Sequence, residues 1–590
     1  MKEERMCQNC KQEFIIEDED FQFYKRIDVP TPTWCPKCSI VKKMTWRNER
    51  SLYWRNCNLC GKKTLSMYVK EDLFSVYCHE CWISDKWDPL AYGIGYSFEK
   101  SFFEQFKELE KKVPRAAVLQ YGTSVNCDFT NYTRNTKNVY LAYSVSTGEN
   151  VFYSFTIDWS KDVSDSLMLK NSELIYEGFN SDHCYNSKFL IDCRDCRESS
   201  YLYDCVNCEN CFMSVNLRNK QFVFRGKQYL KDEYIKIISE INDGSYKILC
   251  KLREEFRRLV TSTVHKYADI VKTVNCTGNY LSNCKNVFDS YSVYDSENVR
   301  FTIRALKAKD IGRVFSCGEG SELIYEGIVG GKGSSNIKFF ANADTLRESQ
   351  YTDWCSNSHH LFACIGLRNK QYCILNKRYT KEEYEVLLPK IKQHMMDVPY
   401  VDQNGRVYRY GEFFPPELSP FAYNETIAQE YFPLIKEEVL SQGFRWKDPN
   451  IKDYTPTILP KNLPDSINDV PDSITTEVIG CMHEGSCTHQ CTTAFKIIPE
   501  ELAFYRRMNL PLPRLCPNCR HYERLAQRNP LKLWHRKCHC GGKQSENGVY
   551  TNTIKHSHGD TPCPNEFETS YSPDRKEIVY CESCYQAEVV

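Results

Sequence analysis

One cysteine pattern is written twice in this chain, once near each end, and that duplication constrains the fold more than any other feature. The first copy runs Cys7-x2-Cys10, Cys35-Pro36-Lys37-Cys38, Cys57-x2-Cys60 and Cys78-x2-Cys81. The second runs Cys487-x3-Cys491, Cys516-Pro517-Asn518-Cys519, Cys538-x-Cys540 and Cys581-x2-Cys584. Cys10 to Cys35 spans 25 residues, as does Cys491 to Cys516; Cys38 to Cys57 spans 19, as does Cys519 to Cys538. Phe23-Tyr24, Pro32, Arg47-Asn48 and Arg55 return as Phe504-Tyr505, Pro513, Arg528-Asn529 and Arg536. We read two copies of one metal-binding module, at residues 1–90 and 479–590.

The chain has no apolar run long enough to span a bilayer and no apolar signal core behind Met1-Lys-Glu-Glu-Arg. A cytoplasmic, membrane-free protein is expected. Its 32 cysteines then need another role than disulfides, which reducing compartments disfavour. Repeated Cys-x2-Cys pairs point to zinc held by thiolates in closed, structural sites. Four pairs per module suffice for two sites each, about four zinc ions in all. Sequential pairing puts Cys7, Cys10, Cys35 and Cys38 on one ion and Cys57, Cys60, Cys78 and Cys81 on another; interleaved pairing stays open. In the last module Cys538-x-Cys540 is tighter than an ordinary pair, and His556, His558, Cys563 and Cys481 are spare groups able to replace a ligand.

Between the cysteines both modules are basic. Residues 25–63 hold ten Lys/Arg against Asp28 and Glu49, and residues 506–543 hold ten against Glu523. Trp34, Trp46, Tyr53 and Trp54, and Tyr522, Trp534 and His535, interleave. Cations among aromatic rings suit phosphate contact and base stacking. Arg47, Arg55, Arg528 and Arg536 are the candidate nucleic-acid contacts; the competing reading is that they hold the module together.

The centre carries a second duplication, offset by 148 to 150 residues. Ser172-Glu-Leu-Ile-Tyr-Glu-Gly178 returns as Ser321-Glu-Leu-Ile-Tyr-Glu-Gly327, and Leu217-Arg-Asn-Lys-Gln221 as Leu367-Arg-Asn-Lys-Gln371. Within each copy a beat of about 12 residues starts at Asn138, Asn150 and Asp162, or at Asn286, Asn298 and Asp310. Short alternating strands between polar turns predict two parallel β-helix solenoids, at 119–229 and 269–378, with about two units per coil; a β-sandwich is the alternative. The fold class expected is therefore mainly β with helices, two solenoids flanked by zinc-ribbon modules. Cys184, Cys193, Cys196, Cys205, Cys208 and Cys211 suit a stacked core, with a metal site as the alternative. A helix within 91–118 is placed to cap the first solenoid, a helical insert spans 230–268, and a helix with a Pro- and aromatic-rich connector spans 379–478.

Cys7-x2-Cys10, Phe23-Tyr24, Val29-Pro30, Cys35-Pro36-x-Cys38 and Arg47-Asn48, followed by Phe98 to Pro114, the Asn/Cys-rich repeat and Leu-Arg-Asn-Lys-Gln, resemble uncharacterised multidomain proteins of candidate-phylum bacteria and giant viruses. These carry zinc-ribbon modules around an Asn/Cys-rich β-repeat. The resemblance covers nearly the whole chain and implies architecture, not activity. The Cys-x3-Cys and Cys-x-Cys spacings depart from it.

No nucleotide-binding, nucleophile-elbow or metalloprotease motif occurs, so no catalytic or cofactor-binding residue is assigned. The duplicated acids Glu173, Glu177 and Glu198, with copies Glu322, Glu326 and Glu348, can form a glycosidase-like set or ladder hydrogen bonds. The expected function is a non-enzymatic zinc protein that binds RNA or DNA, or a nucleic-acid machine, through basic ribbons held apart by a stiff body. A scaffold for protein partners comes second, and a carbohydrate-active enzyme third.

Overall fold

The computed structural model describes residues 2–71, 74–241, 244–448 and 454–590. It is mainly β, with twelve α-helices among the described residues. Most strands belong to two parallel sheets, one per central repeat. In the first, Val139, Val151, Val163 and Ile175 stand opposite one another in successive strands, each 12 residues from the next.

Left-handed backbone explains that step. Positive φ recurs at every third residue, for example at Asn138, Leu141, Ser144, Thr147 and Asn150. Asn and Asp tolerate this region best among residues with a Cβ, and they stack. Asn126 donates to Asn138 at 2.9 Å, Asn138 to Asn150 at 2.9 Å, and Asn150 to Asp162 at 2.7 Å. The second repeat has the same ladder, from Asn275 through Asn286 and Asn298 to Asp310.

Here the expectation of a β-helix solenoid is corrected. Strand Asn131–Tyr140 is flanked on one side by Glu149–Phe152 and then Lys161–Ser164, and on the other by Tyr143–Ser146, Phe155–Asp158 and Leu167–Lys170. Glu173–Asp182 joins both series and closes a seven-stranded parallel barrel, with further strands added beyond it. Two 12-residue units do not share one circuit, because the frequent left-handed residues bring the chain back to a pairing position after a single unit. The barrel interior is narrow and holds Val139, Val145, Val151, Ile157, Val163 and Leu169. Cys184, Cys193, Cys196, Cys205, Cys208 and Cys211 continue that buried core, and several thiols face carbonyl oxygens, as Cys193 Sγ does Ile191 O at 3.3 Å.

The helix Phe102–Lys112 packs elsewhere than expected. Its Phe102 meets Tyr351 and Phe362 of the second sheet at 4.9 and 5.5 Å between ring centroids, and Arg115 just after it pairs with Asp353 at 2.6 Å. The first sheet is instead covered, on its strands beyond the barrel, by Tyr246–Ser262, whose Phe256 lies 5.8 Å from the Tyr201 ring. In the connector, Phe414 is buried against Trp46 and Phe106, each at 4.8 Å, and Phe421 stacks on Tyr68 at 5.2 Å.

The end modules dock crosswise. The N-terminal module lies on the second sheet, where Lys43 and Ser39 reach Glu326 at 2.6 and 2.7 Å and Arg26 reaches Asp310 at 2.6 Å. The C-terminal module lies on the first barrel, where Arg524 reaches Asp165 at 2.6 Å and Tyr153 donates to Glu501 at 2.7 Å. Apart from the half-exposed Arg26, the groups in these contacts are buried. Burial pulls the Lys42 and Lys43 ammonium groups down to about 8. Burial also pushes the Glu501 carboxyl up to about 7 against the charge of Arg520.

Candidate metal centres

Four four-cysteine clusters lie in the end modules, each with its sulfur atoms within 4.8 Å of one another. They consist of Cys7, Cys10, Cys35 and Cys38; Cys57, Cys60, Cys78 and Cys81; Cys481, Cys491, Cys516 and Cys519; and Cys538, Cys563, Cys581 and Cys584. A tetrahedron with metal–sulfur bonds of about 2.3 Å has edges of about 3.8 Å. Sulfur separations match: 3.9 Å for Cys10–Cys35 and Cys60–Cys78, and 3.8 Å for Cys481–Cys519 and Cys563–Cys581.

All four are built alike. Two cysteines sit at the turn of a short antiparallel pair: Glu3–Met6 with Glu13–Ile16, Tyr53–Asn56 with Lys63–Ser66, Ile479–Gly480 with Ala494–Phe495, and Trp534–Lys537 with Glu566–Thr569. The third cysteine precedes a helix and the fourth lies in its first turn. Cys35, Cys78, Cys516 and Cys581 stand at the N-termini of Pro36–Met44, His79–Trp82, Pro517–Leu525 and Glu582–Val589. Unpaired N–H groups at a helix start favour thiolate. The third cysteine also donates its backbone N–H to the first one's sulfur every time: Cys35 to Cys7 at 3.2 Å, Cys78 to Cys57 at 3.3 Å, Cys516 to Cys481 at 3.3 Å and Cys581 to Cys538 at 3.2 Å. Four convergent sulfurs with this support can hold a metal ion.

In the first module the clusters are sequential, not interleaved. In the last module the structure brings together a different set from the one read off the spacing. Cys481 takes the place expected for Cys487, and Cys563 the place expected for Cys540. Both come from insertions. Two residues separate Cys7 from Cys10, but nine separate Cys481 from Cys491; two separate Cys57 from Cys60, but 24 separate Cys538 from Cys563. A signal for Cys563 was present: Cys60 to Cys78 and Cys563 to Cys581 both span 18 residues. His483 and His489, assigned no role from sequence, group with Cys487 and Cys519. Cys540 Sγ lies 3.2 Å from His556 Nδ1, and Cys584 Sγ 3.4 Å from His558 Nε2.

The four candidate arginines are engaged within the chain. Arg47 is buried, pairs with Glu49, donates to Ser144 at 2.9 Å and covers the Tyr132 ring. Arg55 donates to Val69 O at 2.9 Å. Arg528 donates to Glu430 O at 2.9 Å and lies over Tyr431. Arg536 donates to Ser572 O at 3.0 Å. Four of the six duplicated acids serve similar ends. Glu198 accepts from Asn186 and Glu348 from Asn336, each at 2.6 Å and 12 residues away. Glu177 meets Arg253 at 3.5 Å, and Glu326 lies between Lys43 and Arg313.

Arg536 also borders a cleft of about 790 Å³ between the helix Tyr246–Ser262 and the C-terminal module. Arg257, Arg258, Arg575 and Lys576 line it, with Glu546 as its carboxylate. Glu254 is shared by Arg257 and Arg258, at 2.7 and 3.1 Å, and Glu577 pairs with Arg575. No helix among the described residues is long and apolar enough to cross a membrane. Comparison with known proteins finds no matching family model and no similar curated protein.

Proposed function

We propose that this chain is a zinc-stabilised, non-enzymatic protein that binds nucleic acid in the cleft between the helix Tyr246–Ser262 and the C-terminal module. The observation that carries the reading is the cleft's lining, five cationic side chains and one carboxylate, with Glu254 and Glu577 as the only further acids paired with those cations among the described residues. Arg257 and Arg258 are largely exposed and share one acid, so their charge is only partly balanced. A concave cationic surface concentrates a polyanion by displacing its counterions.

Zinc is the metal best suited to the clusters. Four thiolates favour soft or borderline ions and leave no open position for water, so the ions are structural. Their task is to hold two turns and a helix start together in modules that have little apolar core of their own. With the modules docked crosswise, the binding surface is one cleft, not two ribbons held apart.

The reading is tested by purifying the full chain at low salt, with and without nuclease, and comparing absorbance at 260 and 280 nm. Nuclease-sensitive absorbance at 260 nm is expected, and it should disappear in the Arg257→Glu, Arg258→Glu, Lys576→Glu variant. A protein that carries no nucleic acid and binds none at low salt overturns it.

A further inference from the structure

We infer that each C-terminal four-cysteine cluster is half of a binuclear metal centre, with Cys519 and Cys584 as thiolate bridges to a second ion. The inference rests on the reading that the four-cysteine clusters hold zinc.

Cys519 belongs to two groups at once. Its sulfur closes the cluster with Cys481, Cys491 and Cys516, and it also lies within 4.8 Å of ligand atoms of His483, Cys487 and His489. The Cys487–Cys519 separation is 3.6 Å and the Cys481–Cys519 separation is 3.8 Å, so Cys519 is a tetrahedron corner on both sides. The histidines lack other employment. Nδ1 of His483 and of His489 is buried with no hydrogen-bond partner among the described residues, an arrangement that costs free energy unless something else binds there. Tyr522 stacks on His489 at 5.6 Å and holds its ring in place.

The charge balance points the same way. Four thiolates around one divalent ion leave two uncompensated negative charges, and Cys487 adds a third beside them. Five thiolates and two neutral imidazoles around two ions leave one. A thiolate sulfur has lone pairs enough for both ions, so no further ligand is needed to make each site four-coordinate.

The second insertion carries the same set, one cysteine and two histidines. Cys540 meets His556 at 3.2 Å and His558 meets Cys584 at 3.4 Å. The far nitrogens are occupied: His556 Nε2 lies 2.8 Å from the buried Glu588 carboxylate, and His558 Nδ1 lies 2.7 Å from Thr561 O. This is the outer-shell support that ligating histidines usually have, and it leaves the lone pair facing sulfur in each ring. The odd spacings of the last module follow. Cys481 and Cys491 serve one ion while His483, Cys487 and His489 between them serve the other.

The test uses the full chain loaded with cobalt(II), read by metal analysis and by electron paramagnetic resonance during stepwise loading. The wild type should hold about six ions rather than about four. Signal per cobalt should fall in the late steps, because two ions sharing one sulfur couple antiferromagnetically. The His483→Ala/His489→Ala and His556→Ala/His558→Ala variants should each lose about one ion and one coupled pair while keeping the four-thiolate ion. Four ions untouched by either histidine variant, or a wild-type signal rising linearly to saturation, overturns the bridges alone. A wild type that binds no metal overturns the zinc reading as well. If a variant fails to fold, the wild-type loading curve decides.

Discussion

Arg26 Nη1 donates to Asp310 Oδ1 at 2.6 Å, and Arg507 repeats the contact with Asp162 at 3.0 Å. The two arginines hold matching positions in the two cysteine modules, and the two aspartates hold matching positions at which the two asparagine ladders end. Tyr24 on Tyr325 at 5.7 Å is likewise repeated by Tyr505 on Tyr176 at 6.1 Å. One interface therefore occurs twice and ties both duplications together; through it each module sits on the central repeat remote from it in sequence, while Arg47 also reaches Ser144 of the nearer one.

The buried core of this interface on the first barrel is Asp165, which receives both Arg520 and Arg524. Removing one side of a buried ion pair leaves uncompensated charge, at about 3–5 kcal/mol. Asp165→Ala is expected to destabilise the chain on that scale in urea unfolding, whereas Arg26→Ala, half exposed, should cost about 1 kcal/mol. Equal effects would show that the docking is not organised around Asp165.

Metal removal should act on the ends first. Chelation or acidification strips thiolate sites because protons compete for the sulfur. Hydrogen exchange is expected to show lost protection in residues 2–71, 74–90 and 479–590, while the strands Glu149–Phe152 to Glu173–Asp182 stay protected. Uniform loss throughout would mean that the barrel depends on metal too.

The insertions make the ligand set testable one cysteine at a time. Cys563→Ser should lose the four-thiolate ion and loosen the pairing of Val264–Lys266 with Ile578–Tyr580, which leads into Cys581. Cys540→Ser should leave that ion in place. Hydrogen exchange over that pairing, which should lose protection in Cys563→Ser and keep it in Cys540→Ser, separates this from the reverse, in which Cys540 is the fourth ligand.

The left-handed positions carry a backbone prediction. Asn150 has φ of 54° and both accepts and donates in its ladder. Asn150→Ala should cost about 1–2 kcal/mol from strain alone, plus the lost ladder bonds, and Asn150→Gly should cost less. Alanine no worse than glycine in urea unfolding would remove the left-handed residues as the cause of the 12-residue step.

Much of this architecture was legible in the sequence, and the parts that were not have a common cause. For Cys7 to Cys81 the pairs were plain, because each sits three residues apart in one turn, but the choice between sequential and interleaved pairing came only from the fold. Cys481 and Cys563 were displaced by insertions that local spacing does not see. The beat at Asn138, Asn150 and Asp162 marked the repeat but not its pairing, since a 12-residue unit does not state whether it meets the next unit or the one after. Arg26 and Asp310 lie 284 residues apart, and nothing short-range couples them. Spacing left Arg47 and Arg55 open between phosphate contact and support of the module, because their partners Glu49, Ser144 and Val69 give no signal in it.

The most direct measurement is the affinity of the full chain for a single-stranded oligonucleotide, by fluorescence anisotropy across a salt series. Affinity should fall linearly on a log–log plot, and Arg257→Glu, Arg258→Glu and Lys576→Glu should each reduce that slope by about one without changing metal content. Binding that is absent at low salt, or whose salt dependence these substitutions leave unchanged, would contradict the cleft as a nucleic-acid site.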